Sequence, residues 1–203
     1  MIPLILASAS PRRMEILQAL GWPFKTIPSL VFEEETPHRD PVEASQHLAL
    51  KKAREVASRI QEGLVLGADT LVHLAGYVLG KPRDATMARE YLRLLSGKTH
   101  GVTTGLALVD ACSGREEVTA ETTWVRMHRL SSSQIESYLE TDEPYDKAGA
   151  YAIQGKGFIL IDRIWGCYTN VVGLPVGRLR ELLARFDPAW PEGACGGGEK
   201  WSR

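Results

Sequence analysis

The segment Val102-Thr103-Thr104-Gly105-Leu106-Ala107-Leu108-Val109 is followed by Ser113-Gly114 and then by a second β-prone run from Glu117 to Met127. Two such runs separated by a turn signal read as a long antiparallel hairpin. In the second run Val118, Ala120, Thr122, Trp124 and Arg126 alternate onto one mixed face. This hairpin decides the fold class, because the segments before it have a different character. Ile2 to Ala7 is a short apolar strand. Ser10 and Pro11 then suit the N-cap and first turn of a helix that runs to Leu20 and stops at Gly21. Trp22 to Ile27 reads as a strand, and Leu30 to Arg39 as a polar loop. Asp40-Pro41-Val42-Glu43 opens a helix reaching about Arg59, with Ala49, Ala53, Val56 and Ile60 on one face. Leu64 to Leu74 is a strand turning at Ala75-Gly76 into Tyr77 to Leu79, and Asp84 opens a helix closing at Ser96-Gly97. Beyond the hairpin the sequence predicts a helix over 131–140, strands over 158–164 and 168–172, and a helix over 175–186. βα units combined with an antiparallel hairpin predict a mixed α/β sheet flanked by helices rather than a purely parallel one.

The length of 203 residues suits a single domain, expected over residues 1–186. From 187 to 203 the Pro- and Gly-rich sequence predicts a disordered tail. With 24 Lys and Arg against 25 Asp and Glu, the net charge is -1. That balance provides no overall field for nucleic acid or an anionic membrane, so an anionic ligand needs a local cluster. Cys112, Cys167 and Cys195 match no zinc or redox spacing and read as reduced thiols. With no signal peptide or membrane span in the pattern, the expectation is a cytoplasmic protein.

Three features carry chemistry. The first is Ser8-Ala9-Ser10-Pro11-Arg12-Arg13, between a strand and a helix. Arginines in a first turn oppose the positive end of the helix unless an anion binds there. Backbone N–H groups, the Ser8 and Ser10 hydroxyls and the guanidinium forks then converge on a phosphate. The competing reading has both arginines in solvent or paired with surface acids. There is no Walker pattern in the chain.

The second feature is Asp69, at the end of the buried run Leu64-Val65-Leu66-Gly67-Ala68. Strand ends gather ligands in α/β sheets, and a carboxylate there could hold a divalent metal or take a proton from water. Gly67 and Ala68 would let a ligand approach the backbone. A turn aspartate is the structural alternative. Lys52, Lys81 and the acidic run Glu33-Glu34-Glu35 are each ordinary surface chemistry on their own. With Arg12 and Arg13 they supply what a triphosphate and metal require. The third feature runs from Asp146 to Gly155 and includes Gln154, whose amide could read a base edge. Spacing alone does not choose between that role and a close-packed loop.

In order along the chain, Ser8-Ala9-Ser10-Pro11-Arg12-Arg13, Gly67-Ala68-Asp69-Thr70, Lys81-Pro82-Arg83-Asp84, Leu95-Ser96-Gly97, Lys147-Ala148-Gly149-Ala150-Tyr151 and Asn170-Val171-Val172-Gly173-Leu174-Pro175 resemble the Maf family of nucleotide pyrophosphatases. The resemblance covers roughly Leu4 to Phe186. It implies a mixed sheet with two lobes and a central cleft, related to inosine triphosphate pyrophosphatases. It also implies a homodimer and a divalent cation, Mg²⁺ or Mn²⁺. The family's catalytic aspartate falls on Asp69 and its essential acid and lysines on Glu33, Lys52 and Lys81, with Glu33 and Asp69 as the metal ligands. Ser8, Ser10 and Arg13 fall in the phosphate-binding segment, and Arg12, Thr70 and Gln154 at base-selectivity positions. The run Lys147 to Gly155 resembles the branch that hydrolyses dTTP and UTP to the monophosphate and pyrophosphate. Ala152, His47 and Cys167 depart from the usual glycine, arginine and serine. The family's association with septum formation leaves a nucleotide-binding regulator with little turnover as the alternative.

Overall fold

A computed structural model describes residues 3–31 and 40–187. Its strands are β1 (Leu4–Leu6), β2 (Phe24–Thr26), β3 (Leu64–Leu74), β4 (Tyr77–Leu79), β5 (Thr99–Asp110), β6 (Glu116–Met127) and β7 (Ile161–Trp165). Its helices are α1 (Pro11–Ala19), α2 (Pro41–Ala57), α3 (Ala85–Leu95), α4 (Ser132–Leu139), α5 (Tyr168–Val172) and α6 (Val176–Phe186). The strands form one sheet in the order β2-β1-β3-β5-β6-β7, with β4 added beside β3. The β2-β1-β3 pairs are parallel, and the β3-β5, β5-β6, β6-β7 and β3-β4 pairs are antiparallel. The mixed sheet expected from the sequence is therefore present.

Alternation along β3 and β5 divides the core. Leu64, Leu66, Ala68, Leu106 and Leu108 pack with α1 and α6 on one face. Val65, Ala107 and Val109 pack against Ala49, Ala53 and Val56 of α2 on the other. A further cluster joins Val72, Val102, Val125 and Met127 to α3 and α4. Helix α2 lies unusually close to the sheet. A Cβ on Gly67 would collide with the Ala49 carbonyl oxygen, and one on Gly105 would collide with that of Ser45. Gly67 thus makes room for a helix rather than for a ligand, which corrects the reading given to it from sequence. The β3-β4 turn uses positive φ at Ala75 and Gly76, as a tight hairpin requires.

Two segments differ from expectation. Tyr168–Val172 is a helical turn and not a strand. Its β-branched residues favour a strand, but Asn170 anchors the turn by donating to the Val102 carbonyl and to Thr123 Oγ1, both at 2.9 Å. The strand expected over 158–164 starts late, because Gly155–Leu160 form 3-10 turns and only Ile161 onward pairs with β6. The Glu143 carboxylate holds those turns by accepting from the backbone N–H groups of Lys156 (2.8 Å) and Gly157 (3.0 Å). The strand expected over 22–27 pairs only over Phe24–Thr26, while Trp22 is buried in the core. The tail expected beyond Asp187 lies outside the described residues.

Candidate active site

The short partners of β3 leave a gap in the sheet. β1 pairs with β3 at Leu64 to Leu66, and β4 pairs with it at Val72 to Leu74. The Leu64 N–H and the Leu66 carbonyl both point toward β1. By alternation, the peptide groups of Thr70 point the same way, into the gap. Asp69 therefore lies within β3 and not at its end, which corrects the sequence reading; it is the partner strand β1 that stops short of it. A cavity of about 990 Å³ occupies this notch, lined by Ser8, Arg12, Lys52, Asp69, Thr70 and Lys81 among others. Its size is in the range of small-molecule and cofactor sites.

Helix α2 brings Lys52 over the notch. Lys52 Nζ lies 2.6 Å from Asp69 Oδ1, and the side chains are 10% and 6% exposed. The close approach permitted by Gly67 and Gly105 makes this contact possible. Asp69 is thus part of a buried ion pair and not a solvated turn residue. Lys81 is exposed and lines the same cavity, as does the exposed Gln154. Glu33, the remaining acid expected there, lies outside the described residues, as do Glu34 and Glu35.

At the α1 end, Ser10 is the N-cap residue but makes no side-chain cap bond. Arg13 reaches across the notch: Nε donates to the Gly173 carbonyl (2.9 Å), Nη1 to Ser8 Oγ (3.1 Å) and Nη2 to Thr70 Oγ1 (3.1 Å). It therefore ties α1, β3 and the turn after α5 together. Arg12 goes elsewhere, to Asp146 Oδ2 at 3.3 Å. Burial opposes ionisation of Asp146, but bonding to Lys147 and the charge of Arg12 outweigh it and lower its pKa.

Several contributors were not legible in the sequence. Met87, Tyr91 and Val171 line the cavity. Thr104 stands opposite Thr70 across the β3-β5 register. Tyr151 is anchored by His100, whose Nε2 lies 2.6 Å from the tyrosine hydroxyl. Burial, and secondarily the charge of His73, pushes the His100 pKa down to about 4. Tyr151 and Val171 lie in motifs quoted from the sequence, but which partners they meet there depends on register and not on any amphipathic period.

A family model described as Maf-like protein matches residues 3–186. The chain belongs to the Maf-like family. This Maf-like chain is 52% identical over 186 residues to a dTTP/UTP pyrophosphatase of Moorella thermoacetica, covering 92% of this chain and 96% of the relative. It is 45% identical over 193 residues to a dTTP/UTP pyrophosphatase of Acetivibrio thermocellus, with the same coverages of 92% and 96%. A third dTTP/UTP pyrophosphatase, from Carboxydothermus hydrogenoformans, is 48% identical over 178 residues, which is 87% of this chain and 95% of that one. Among the described residues, no group of three or more His, Cys, Asp or Glu could hold a metal ion, and no helix is long and apolar enough to cross a membrane.

Proposed function

We propose that this protein is a nucleoside triphosphate pyrophosphatase that hydrolyses dTTP and UTP to the monophosphate and pyrophosphate. The observation that carries the reading is the buried Lys52–Asp69 pair in a cavity also lined by Ser8, Ser10, Arg12, Arg13 and Lys81. Two carboxylates, Asp69 and Asp146, among several cations and hydroxyls suit a polyanionic ligand attacked by water. The names of the relatives support the substrate class.

In this reading water attacks the α-phosphorus, with Asp69 orienting it and accepting its proton. Lys52 holds the Asp69 carboxylate in place, and Lys81 and Arg12 meet charge developing on the phosphates. Ser8 and Ser10 contact phosphate oxygens, while Arg13 sets the position of Ser8 and Thr70. Gln154 faces the base. Asp69, together with Glu33, would hold Mg²⁺ or Mn²⁺. Asp69 supports that reading, because Mg²⁺ usually takes only one or two protein carboxylates together with substrate phosphates. The cation supplies neutralisation of phosphate charge. A homodimer and a cytoplasmic location belong to the same proposal.

The test is product analysis. Purified protein is incubated with a nucleotide panel and Mg²⁺ or Mn²⁺, with and without chelator, and pyrophosphate is assayed against orthophosphate. Pyrophosphate should appear fastest from dTTP and UTP and stop on chelation. Orthophosphate alone, or a preference for purines, would overturn the assignment.

A further inference from the structure

A hydroxyl group has one proton and two lone pairs, and this fixes the direction of a relay beside Arg13. Thr104 donates its proton to the Asn170 carbonyl at 3.1 Å. Thr104 Oγ1 also lies 2.9 Å from Thr70 Oγ1, and with its own proton committed it must accept there. Thr70 is therefore the donor to Thr104, and it accepts from Arg13 Nη2 at 3.1 Å. One lone pair of Thr70 remains. Thr104 is wholly buried, whereas Thr70 is partly exposed and lines the cavity. Ser8 has the opposite arrangement. Its oxygen accepts from Arg13 Nη1 (3.1 Å) and from the Ser10 N–H (3.2 Å), which leaves its proton to donate. The wall beside one guanidinium thus offers a donor at Ser8 and an acceptor at Thr70.

We infer that Thr104 is a positioning residue that keeps Thr70 an acceptor toward the cavity, and that this selects a nucleobase carrying a ring N–H. The inference rests on the nucleotide reading given above. Thymine and uracil both carry an N–H at N3, whereas cytosine carries a lone pair there. An acceptor accommodates the first two and opposes the third. Without the Thr104 oxygen, the Thr70 proton is released to turn toward the cavity, where it can donate to cytosine N3. The end of the relay is itself fixed, because the Asn170 side chain donates to Val102 and Thr123.

The test compares Thr104→Val, which keeps the shape, with Thr104→Ser, which keeps the hydroxyl. The Asn170 carbonyl still accepts from the Gly173 N–H at 2.9 Å, so the valine variant leaves it partnered. The readout is kcat/KM for pyrophosphate release from dTTP and dCTP, with thermal melting of each variant. Thr104→Val should lower the dTTP to dCTP ratio about tenfold, and Thr104→Ser should retain the wild-type ratio. Equal scaling of both substrates by valine, or a serine variant as unselective as valine, would overturn the inference. Should the valine variant fail to fold, Thr70→Val provides the second test, and an unchanged ratio there overturns the inference as well. Nucleotide-induced melting shifts separate this inference from the reaction itself. Wild-type preference for dTTP over dCTP in binding, lost in Thr104→Val, supports the relay even if no pyrophosphate is released.

Discussion

Asp69→Asn tests both the chemistry and the energetics of the notch. Lys52 and Asp69 are nearly inaccessible and 2.6 Å apart. The amide keeps the shape and one acceptor oxygen but removes the negative charge that faces the buried Lys52 ammonium at that distance. Breaking a buried pair from one side costs about 3–5 kcal/mol, and the lower figure suits a pair bordering an open cavity. At roughly 2–4 °C per kcal/mol for a domain of this size, melting should fall by about 10 °C. Turnover should fall ~10²–10⁴-fold from loss of the general base. Lys52→Met combined with Asp69→Asn removes both charges, so it should regain much of the stability and remain inactive. Calorimetry and pyrophosphate release measured on the same preparations separate the two effects. Near-wild-type turnover by folded Asp69→Asn would remove Asp69 from the chemistry. An unchanged melting temperature would show that the pair contributes nothing to the fold.

Gly105→Ala should destabilise by about 2 kcal/mol or more, because its methyl collides with the Ser45 carbonyl; chemical denaturation measures it. Arg13→Ala should lower the melting temperature without nucleotide present, since it cuts three bonds joining α1, β3 and the turn after α5; an unchanged melt would refute the bracing role. His100 has a folded pKa of about 4 against 6.5 for the free group, so the unfolded chain binds more protons between those values. Its contribution to stability is therefore present above about pH 6.5 and is lost as pH falls toward 4, by roughly 3 kcal/mol in total. Urea titrations across that range should show the loss, and His100→Gln should flatten it.

Local chemistry along the chain was enough to specify the mixed sheet and most of its elements. The hairpin now seen as β5 and β6, the β3-β4 turn, and the caps at Asp40, Asp84 and Ser131 rest on local periodicity and capping chemistry. Local electrostatics singles out the Ser8 to Arg13 run, because arginines at a helix start are unfavourable without an anion, whereas Asp69, Lys52 and Lys81 are assigned together through the family resemblance. How those residues meet was settled only by long-range packing. Gly67 and Gly105 admit α2 so that Lys52 reaches Asp69, and β1 and β4 leave a notch along β3. The β3-β5 register sets Thr104 against Thr70, and Asn170 turns a strand-like segment into a helix. Each of these depends on contacts between residues far apart in the chain, and local propensity contains no information about such distances.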